Sequence, residues 1–423
     1  MKRPRERFVD EIGKLRADGD CDRRPGARRP PEAPARERGV DEIADGEMSP
    51  RPHASRYCRR RLTRFEAVRR APGWSVFNSS LTLPGDMTVA LLAHEKFPED
   101  AKTAVSMLRY ADEEIVAVLD RDRAGTRVSD HLSDVQDAPI VAGMDDVDDC
   151  DELLVGIAPI GGGFDDSWRP DVRAALERGC DVTAGLHYFL NDDEEFAELA
   201  AANDCELRDV REPSPDLTVS EGVADEVDAE VILTVGTDCS VGKMTATLEL
   251  YEAALDRGAD AAFVPTGQTG IMIAGWGNPI DRVVSDFTAG AVEEMILEKG
   301  NDHDYLFVEG QGSIVHPAYS AVTCGILHGA MPDELVLCHE AGREAIHGYE
   351  DTPLPALPEY IDLYENLAGP VHDADVVAGA LNTRSLDTDE GARSAVDAYS
   401  QTLSVPASDP IRFGSDELLE ALL

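Results

Sequence analysis

The chain has 423 residues, which is enough for two or three domains with complete hydrophobic cores. It carries 83 Asp and Glu residues against 39 Lys and Arg, a formal net charge of -44, and this acidity argues against nucleic acid as a partner of the folded part. No run of roughly 18 apolar residues is present, so no membrane-spanning segment is expected.

The charge pattern predicts a protein adapted to high salt. Self-repulsion on this scale is screened at molar salt, where the Debye length falls to about 3 Å. The acidic residues are spread along the chain and form no single tail, which argues against the alternative of an acidic binding protein. Eight cysteines lie far apart without a CxxC pair, which is typical of a reducing compartment and predicts neither a zinc site nor a disulfide framework. We therefore expect a cytoplasmic protein of a halophile with no bound metal.

Residues 1–86 differ from the rest of the chain in composition. Residues 1–70 contain 20 of the 39 basic residues against 13 acids, with many Pro and Gly and no sustained apolar period. Such a segment cannot bury enough apolar surface to offset its ordering entropy, so it predicts a disordered basic extension. A nucleic-acid-binding arm is the functional alternative, and the acids exclude a transit peptide. We expect the genuine start to be Met87, directly before TVALLA, with the preceding residues read in frame from upstream sequence.

Residues 87–212 predict a Rossmann-like α/β domain. Apolar runs such as TVALLA and EIVAVLD alternate with helix-like segments, which is typical of a parallel sheet with crossover helices. Asp120 closes the second predicted strand, where a dinucleotide-binding domain holds a ribose hydroxyl. The first turn, HEKFPED, lacks the GxGxxG pattern, so NAD is not the expected ligand.

Two loops of this domain are candidates to face a ligand. Gly161, Gly162 and Gly163 follow a predicted strand and precede a helix, as in an anion-binding nest. His187 follows another predicted strand and is a candidate substrate-binding residue, although a lone histidine is more often structural. Residues 213–228 are acidic and contain Pro, which predicts a linker.

Residues 229–423 predict a P-loop NTPase-like α/β domain, because VILTVGTDCSVGKMT combines a β-branched strand with the GxxxxGK spacing. Backbone N–H groups of such a turn surround a phosphate at a helix N-terminus, and Lys243 adds a mobile cation. The P-loop pattern has Ser or Thr directly after the Lys, whereas Met244 stands there and Thr245 follows one place later. That departure weakens a metal role for Thr245 and the expectation of Mg-ATP. The predicted cofactor-binding residues are Gly236, Thr237, Asp238, Cys239, Ser240, Val241, Gly242, Lys243, Met244, Thr245 and, from a later strand, Asn382.

Polar residues also follow later predicted strands of this domain, where an open α/β sheet gathers its site. A carboxylate at the end of a strand beside the P-loop lies next to the bound phosphates, which favours a site role for Glu309 over a loop-anchoring one. A polar turn with Thr266, Gln268 and Thr269 at its tip follows the strand AAFV. The residues expected to converge on the phosphate loop are Gln268, Glu309, Gln311, His316 and Asn382.

Several motifs carry a resemblance to known families. GTDCSVGKMT with VEGQGS resembles the dethiobiotin synthetase branch of P-loop proteins. A closer resemblance covers nearly all of residues 88–423: LAHEKFPEDAKTA, GIAPIGGG, GLHYFL, PTGQTGIMI, VEGQGSIVHPAYS and ALNT are together similar to a family long catalogued as of unknown function, whose characterised members are D-glutamate N-acetyltransferases. The resemblance implies acetyl-CoA as donor, a D-amino acid as acceptor, and an enolase-superfamily racemase or epimerase that acts on the product. Together with the acidic surface it makes a homo-oligomer the expected assembly.

Acetyl transfer suits the residues already singled out. A P-loop can hold the phosphates of coenzyme A without Mg, which fits Met244. Glu309 or His316 is the candidate base that frees the acceptor amine, and Gln268 or a loop N–H is the candidate donor to the oxyanion. The candidates for binding the acceptor are His187, Gln311, Arg282, Arg343 and Arg384, the arginines by bidentate pairing with carboxylates.

Three hypotheses therefore compete. The first is N-acetyl transfer from acetyl-CoA to D-glutamate or a related D-amino acid. The second is an ATP-dependent ligase or kinase of the dethiobiotin synthetase type, favoured by the phosphate loop and opposed by Met244. The third is a non-catalytic nucleotide-binding regulator, whose first domain would recognise a partner or a metabolite. Binding of CoA would favour the first, and Mg-dependent binding of ATP the other two.

Overall fold

The computed structural model describes residues 87–423 with the exception of residue 160. The extension predicted over residues 1–86 lies outside this part of the chain. Within it, no helix combines the length and the apolar character needed to cross a membrane.

The first sheet is built from residues 88–209. Its strands are β1 (Thr88–Leu92), β2 (Glu114–Leu119), β3 (Ile140–Val141), β4 (Glu152–Val155), β5 (Asp181–Ala184) and β6 (Leu207–Asp209). All pairs are parallel, in the order β3-β2-β1-β4-β5-β6. This is the strand order of dinucleotide-binding domains, so the prediction of a Rossmann-like domain is confirmed. Its helices are α1 (Lys102–Tyr110), α2 (Arg169–Glu177) and α3 (Glu194–Asn203).

The sequence of β1 explains its central place in this sheet. Four of its five residues are buried, because helices cover both faces of a parallel sheet and every side chain then needs an apolar neighbour. Leu91 and Leu92 are among the largest fully buried side chains. The helix α1 packs its buried Met107 and Leu108 into the same core.

The second sheet contains the phosphate loop. Its strands are β7 (Glu230–Gly236), β8 (Ala261–Val264), β9 (Tyr305–Val308), β10 (Glu334–Glu340), β13 (Asp375–Asn382) and β14 (Ala407–Ser408), while β11 (Ala345–Ile346) and β12 (Tyr349–Pro353) form a separate hairpin. The order is β14-β13-β10-β7-β9-β8, again with all pairs parallel. Strand β7 is flanked by β9 and β10, so the crevice beyond its carboxyl end is the topological switch point where such sheets bind ligands.

Eight helices surround this sheet. They are α4 (Lys243–Asp256), α5 (Gln268–Ala274), α6 (Thr288–Lys299), α7 (Ser320–Ala330), α8 (Leu357–Ala368), α9 (Asp389–Leu403), α10 (Pro410–Phe413) and α11 (Asp416–Leu422). Two buried tyrosines of α8 fix the start of the phosphate loop: the Tyr360 hydroxyl donates to the carbonyl of Thr237 and the Tyr364 hydroxyl to that of Gly236. The α/β class and the P-loop domain are thus as predicted.

Hydrogen bonds join the first sheet's helices to those of the second. The buried hydroxyls of Thr103 in α1 and Thr269 in α5 lie 2.8 Å apart. The Tyr110 hydroxyl, also in α1, donates to the Glu249 carboxylate in α4 at 2.7 Å. These contacts place the beginning of α1 directly against the ligand-binding edge of the second sheet.

Candidate functional site

The phosphate loop connects β7 to α4. Ser240 and Gly242 have positive φ angles of 58° and 106°, which turn the backbone so that it leads into the first turn of α4. At Gly242, φ lies where only glycine is free of strain. The helix has 14 residues and begins directly at Lys243, so its N-terminus and the loop N–H groups form a site suited to an anion.

Lys243 is folded onto the loop. Its Nζ donates to the carbonyl of Asp238 at 2.9 Å, and the side chain is buried. Burial lowers the pKa of Lys243. A Cβ at Gly236 would lie 2.8 Å from this Nζ, so glycine is needed there for the lysine to fold back. The ammonium is thus held at the loop, where a phosphate would meet it.

Met244 is buried where a P-loop normally has a hydroxyl. It is 2% exposed and packs in an apolar cluster with Leu248 and Phe263. Thr245 is half-buried and does not line the cavity described below. Neither residue supplies the hydroxyl that a P-loop normally offers to Mg²⁺.

Glu309 follows β9 and is fixed by the neighbouring turn. Its Oε2 accepts hydrogen bonds from the backbone N–H groups of Thr266 at 3.1 Å and Gly267 at 3.0 Å. Its Oε1 accepts none from the described residues, and Glu309 lines the cavity described below. Burial raises the pKa of Glu309, and the ammonium of Lys102 is the strongest of the groups that oppose this rise. The carboxyl therefore holds a proton more readily than that of an exposed glutamate does.

A cavity of about 150 Å³ lies between the phosphate loop and these turns. Its walls are Lys102, Cys239, Ser240, Gly242, Lys243, Met244, Gly267, Gln268, Thr269, Glu309, Gly310, Gln311 and Gly312. Gly310 is a required glycine, since a Cβ there would lie 1.7 Å from the carbonyl oxygen of Thr234. The cavity thus brings together a phosphate cradle, a buried carboxylate and two lysines.

The two glutamines of the prediction both lie in this cavity. Gln311 donates from Nε2 to the carbonyl of Thr266 at 2.5 Å, so its amide is already engaged. Gln268 begins α5, a helix that the sequence interpretation treated as the tip of a turn. Its side chain packs against Gly185 of the first sheet, where a Cβ would lie 2.7 Å from Cγ of Gln268.

His316 lies beside the phosphate loop but outside the cavity wall. Its Nδ1 accepts from the N–H of Ala318 at 3.1 Å, so Nε2 carries the proton and donates to the carbonyl of His347 at 3.2 Å. Both ring nitrogens are thus occupied within the protein. The base role of His316 stays a prediction and would require one of these bonds to break.

Three potential metal ligands gather next to His316. One ligand atom each of Asp238, Cys239 and His316 lies within 4.8 Å of the others. The Asp238 carboxylate already accepts from Arg343 at 3.2 Å and from backbone N–H groups. Burial raises the pKa of Cys239 to about 11, which keeps the thiol protonated. The group is therefore arranged as a hydrogen-bonded support of the loop.

The predicted arginines lie at two separate places. Arg343 is paired with Glu340 and Asp238, and Arg384, which is exposed, donates to Glu340 at 2.9 Å. Arg282 is exposed, with its guanidinium 4.9 Å from the ring of Phe189. None of the three lines the cavity.

The remaining candidates flank the loop or lie at the first sheet. The side chain of Asn382 lies beside Gly242: a Cβ added at Gly242 would lie 3.7 Å from Nδ2 of Asn382. His187 contacts Arg211 at 2.5 Å, and burial followed by this cationic neighbour lowers the pKa of His187. Gly162 packs against the His187 ring. Asp120 is fully buried and accepts from the N–H groups of residues 97, 122 and 123, which makes it an anchor of its own loop.

Thr237 and Val241 support the loop from inside. The Thr237 hydroxyl bonds to Nδ1 of His339 at 2.8 Å, and Val241 is buried in an apolar cluster. Burial lowers the pKa of His339 to about 4, so the imidazole is neutral at pH 7.

Sequence models of one family match both halves of the described region. The model of a domain of unknown function with a P-loop, DUF1611_C, matches residues 218–419, and the Rossmann-like DUF1611_N matches residues 121–213. The chain belongs to the DUF1611 family.

Members of known name and structure are similar over most of their length. A protein of Tritonibacter scottomollicae named D-glutamate N-acetyltransferase is 38% identical over 271 residues, which are 64% of this chain and 80% of that protein. A protein of the same name from a Pseudoalteromonas species is 37% identical over 273 residues, again 64% and 80%. The crystal structure of a DUF1611 family protein from Anabaena variabilis has a TM-score of 0.76 at 38% identity and covers 80% of this chain and 99% of that one.

Lys102 is the cavity residue that sequence reasoning missed. It begins α1 of the DUF1611 chain's Rossmann-like domain, far in sequence from the phosphate loop. One signal was available: the chain contains only six lysines, and of the four within residues 87–423 two line this cavity.

Proposed function

We propose that the chain is an N-acetyltransferase that moves the acetyl group of acetyl-CoA to the amine of D-glutamate or a related D-amino acid. The observation that carries the proposal is the cavity in which a phosphate loop without a metal-binding hydroxyl meets the free oxygen of Glu309. The name of two relatives, D-glutamate N-acetyltransferase, supplies the acceptor class and the group transferred.

The phosphate loop is proposed to hold the phosphates of coenzyme A. The N–H groups that open α4 and the Lys243 ammonium favour negative charge, and neither requires a metal to bridge the anion. The buried Met244 stands at the position where a P-loop has the Ser or Thr whose hydroxyl coordinates Mg²⁺. These features favour CoA over Mg-ATP as the ligand.

Glu309 is proposed as the base. An ammonium has no lone pair, so the acceptor must lose a proton, which passes through Glu309 to solvent. The free amine then attacks the thioester carbonyl, and the C–N bond forms. Glu309 takes the second proton of the nitrogen and gives it to the sulfur as the C–S bond breaks. Gln268, which also lines the cavity, is the proposed donor to the oxyanion.

The phosphate loop also favours a second candidate, an ATP-dependent ligase or kinase of the dethiobiotin synthetase type. The GxxxxGK spacing and the loop conformation are shared by both hypotheses, whereas the buried Met244 is expected only without a loop-bound Mg²⁺. The test must therefore follow CoA release and ATP consumption side by side.

The experiment uses the full chain in molar KCl, with acetyl-CoA and a panel of D- and L-amino acids. CoA is measured by chromatography, beside parallel reactions with Mg-ATP. CoA release that requires D-glutamate or a related D-amino acid supports the proposal. No release with any acceptor, together with ATP consumption, overturns it in favour of the ligase.

Two variants test the assigned base. We expect Glu309→Gln to lower kcat by about 10²–10⁴-fold, because the amide cannot take a proton. Glu198→Gln, at an exposed position of α3, is the matched control and should retain wild-type turnover. Full turnover by Glu309→Gln would remove Glu309 from the mechanism and direct attention to His316.

The product of this reaction is an N-acetylated D-amino acid. We propose that a racemase or epimerase of the enolase superfamily consumes it, since acetylation removes the ammonium charge and leaves an α-proton beside a carboxylate. Incubation of the purified product with such an enzyme, followed by chiral chromatography, tests this step.

A further inference from the structure

Lys102 presents an unpartnered ammonium to the cavity. The residue begins α1, and its side chain is exposed to the cavity's solvent while protein surrounds it. No atom of residues 87–159 or 161–423 forms a hydrogen bond or an ion pair with its Nζ. Burial lowers the pKa of Lys102, and the charge of Glu309 is the strongest opposing influence.

Lys102 and Glu309 face each other without touching. Each is the other's leading opposite charge, yet no contact within 4.0 Å joins the ammonium to the carboxylate. The gap between this cation and this anion suits a group that carries both signs close together. The head group of an α-amino acid, with its ammonium and α-carboxylate, is such a group.

The other cations near the loop are already in use. Lys243 donates to the carbonyl of Asp238 and faces the phosphate side of the cavity. Arg343 and Arg384 are both bonded to the Glu340 carboxylate and do not line the cavity. Lys102 is therefore the cation of the cavity wall that remains available to a second ligand.

We propose that Lys102 binds the α-carboxylate of the acceptor while Glu309 binds its ammonium, so that the amino acid's head group bridges the two domains. This inference rests on the proposed acetyl transfer. Lys102 is a specificity residue for α-amino acids, because an amine without an α-carboxylate leaves its charge unpaired.

The surroundings hold the pair in register. Next to Lys102, Thr103 bonds to Thr269, and Thr269 adjoins Gly270, whose missing Cβ leaves room for the Glu309 carboxylate. A Cβ at Gly270 would lie 2.5 Å from Oε2 of Glu309. Two consecutive residues of α5 therefore contact both sides of the pair: Thr269 bonds to the residue next to Lys102, and Gly270 packs against Glu309.

The experiment compares two acceptors and three variants in molar KCl. The acceptors are D-glutamate and 4-aminobutyrate, which is glutamate without its α-carboxylate. The variants are Lys102→Met, Lys102→Arg and, as matched control, Lys96→Met at an exposed position of the same domain. KM and kcat are measured for each acceptor and for acetyl-CoA.

We expect Lys102→Met to raise the KM for D-glutamate by about 10- to 100-fold, the factor that a charged hydrogen bond provides. The KM for acetyl-CoA and the use of 4-aminobutyrate should stay within about 2-fold, so that the preference for D-glutamate disappears. Lys102→Arg should recover part of the preference for D-glutamate, and Lys96→Met should have the wild-type KM and kcat for both acceptors.

Two results overturn the inference while leaving acetyl transfer intact. Equal losses with both acceptors would show that Lys102 does not meet the α-carboxylate, and a raised KM for acetyl-CoA alone would assign it to the CoA phosphates. Calorimetric titration with D-glutamate in the presence of CoA provides a readout without turnover. If the wild type transfers no acetyl group, the proposed function fails. The inference then stands only if D-glutamate binds the wild type and binds Lys102→Met about 10-fold more weakly or worse.

Discussion

Glu309 and Lys102 both have perturbed pKa values, in opposite directions. Burial raises the pKa of the carboxyl and lowers that of the ammonium. A carboxyl that must be ionised to act as a base loses activity as the pH falls through its raised pKa. An ammonium that must be charged to bind a carboxylate loses activity as the pH rises through its lowered pKa. The two groups together predict a bell-shaped pH dependence of kcat/KM.

The alkaline limb of that profile identifies Lys102. We expect Lys102→Arg to move the limb to higher pH, because a guanidinium stays protonated where the lysine has lost its charge. The free amino acid's own amine titrates at the same pH in both experiments, so it does not contribute to a difference between the alkaline limbs of the wild type and Lys102→Arg. The measurement is kcat/KM for D-glutamate between pH 5 and 10, and an unshifted limb would contradict the prediction.

Gly270 offers a way to displace the carboxylate without removing it. We expect Gly270→Ala to lower kcat by about 10²-fold in a folded protein, because its Cβ would lie 2.5 Å from Oε2 of Glu309 and force the carboxyl to move. Gly391→Ala, at an exposed position in the first turn of α9, is the control, since the added methyl group would meet only the Thr388 hydroxyl, at 3.1 Å. Circular dichroism verifies folding, and wild-type kcat in Gly270→Ala would show that the carboxyl position is not critical.

At the scale of elements, the contact of α1 with α5 rests on one buried hydrogen bond. Removal of either hydroxyl by Thr103→Val or Thr269→Val leaves its partner buried and unpaired, which costs about 1–3 kcal/mol of the free energy of unfolding. The double variant removes both groups, so we expect it to lose less than the sum of the single variants. Urea denaturation in molar KCl measures the cycle, and strictly additive losses would indicate that the two hydroxyls do not interact.

The amino-terminal ends of β7 and β10 accumulate negative charge. Burial, followed by repulsion from Glu230 and Asp333, raises the pKa of Glu334 to about 7, and its Oε2 is buried without a partner. A carboxyl whose pKa is raised by folding destabilises the protein as the pH rises from its ordinary pKa through 7. We expect Glu334→Gln to raise the melting temperature at pH 8 and to leave it almost unchanged at pH 5. Equal melting temperatures of the two proteins at both pH values would contradict this.

Local patterns predicted the elements of this chain better than their meeting points. The strand run and GxxxxGK spacing foretold β7, the loop and α4, because each lies within a short stretch of sequence. The placement of Gln268, Glu309 and Gln311 at one cavity followed from the rule for strand ends. Sequence patterns did not identify Lys102 as a cavity residue, because its position depends on the packing of α1 against α5, which residue spacing does not encode. The three arginines do not line the cavity, and sequence patterns could not show this, because Arg384 bonds to Glu340 and Arg282 packs on Phe189, both distant in sequence. Their role as acceptor-binding residues stays a prediction.

At the scale of the whole molecule, the net charge of -44 governs stability. At about 0.1 M salt the Debye length is about 10 Å instead of about 3 Å, so repulsion between neighbouring surface carboxylates is screened much less. We expect the melting temperature to fall steeply as KCl is lowered from molar to about 0.1 M, and to recover when NaCl replaces KCl at equal ionic strength. A melting temperature independent of salt would refute the high-salt adaptation, which remains a proposal.

Because the chain has few lysines, Lys102 in the cavity can be labelled selectively with an amine reagent. Amine-selective acylating reagents react only with neutral amines. The lowered pKa of Lys102 gives it a larger neutral fraction at a given pH than a lysine with an ordinary pKa has. With only six lysines in the chain, a labelled peptide that contains residue 102 is easily distinguished by mass spectrometry. Reagent uptake at this one amine would then report, in crude extracts as well as in pure protein, how much of the protein holds a ligand in this cavity.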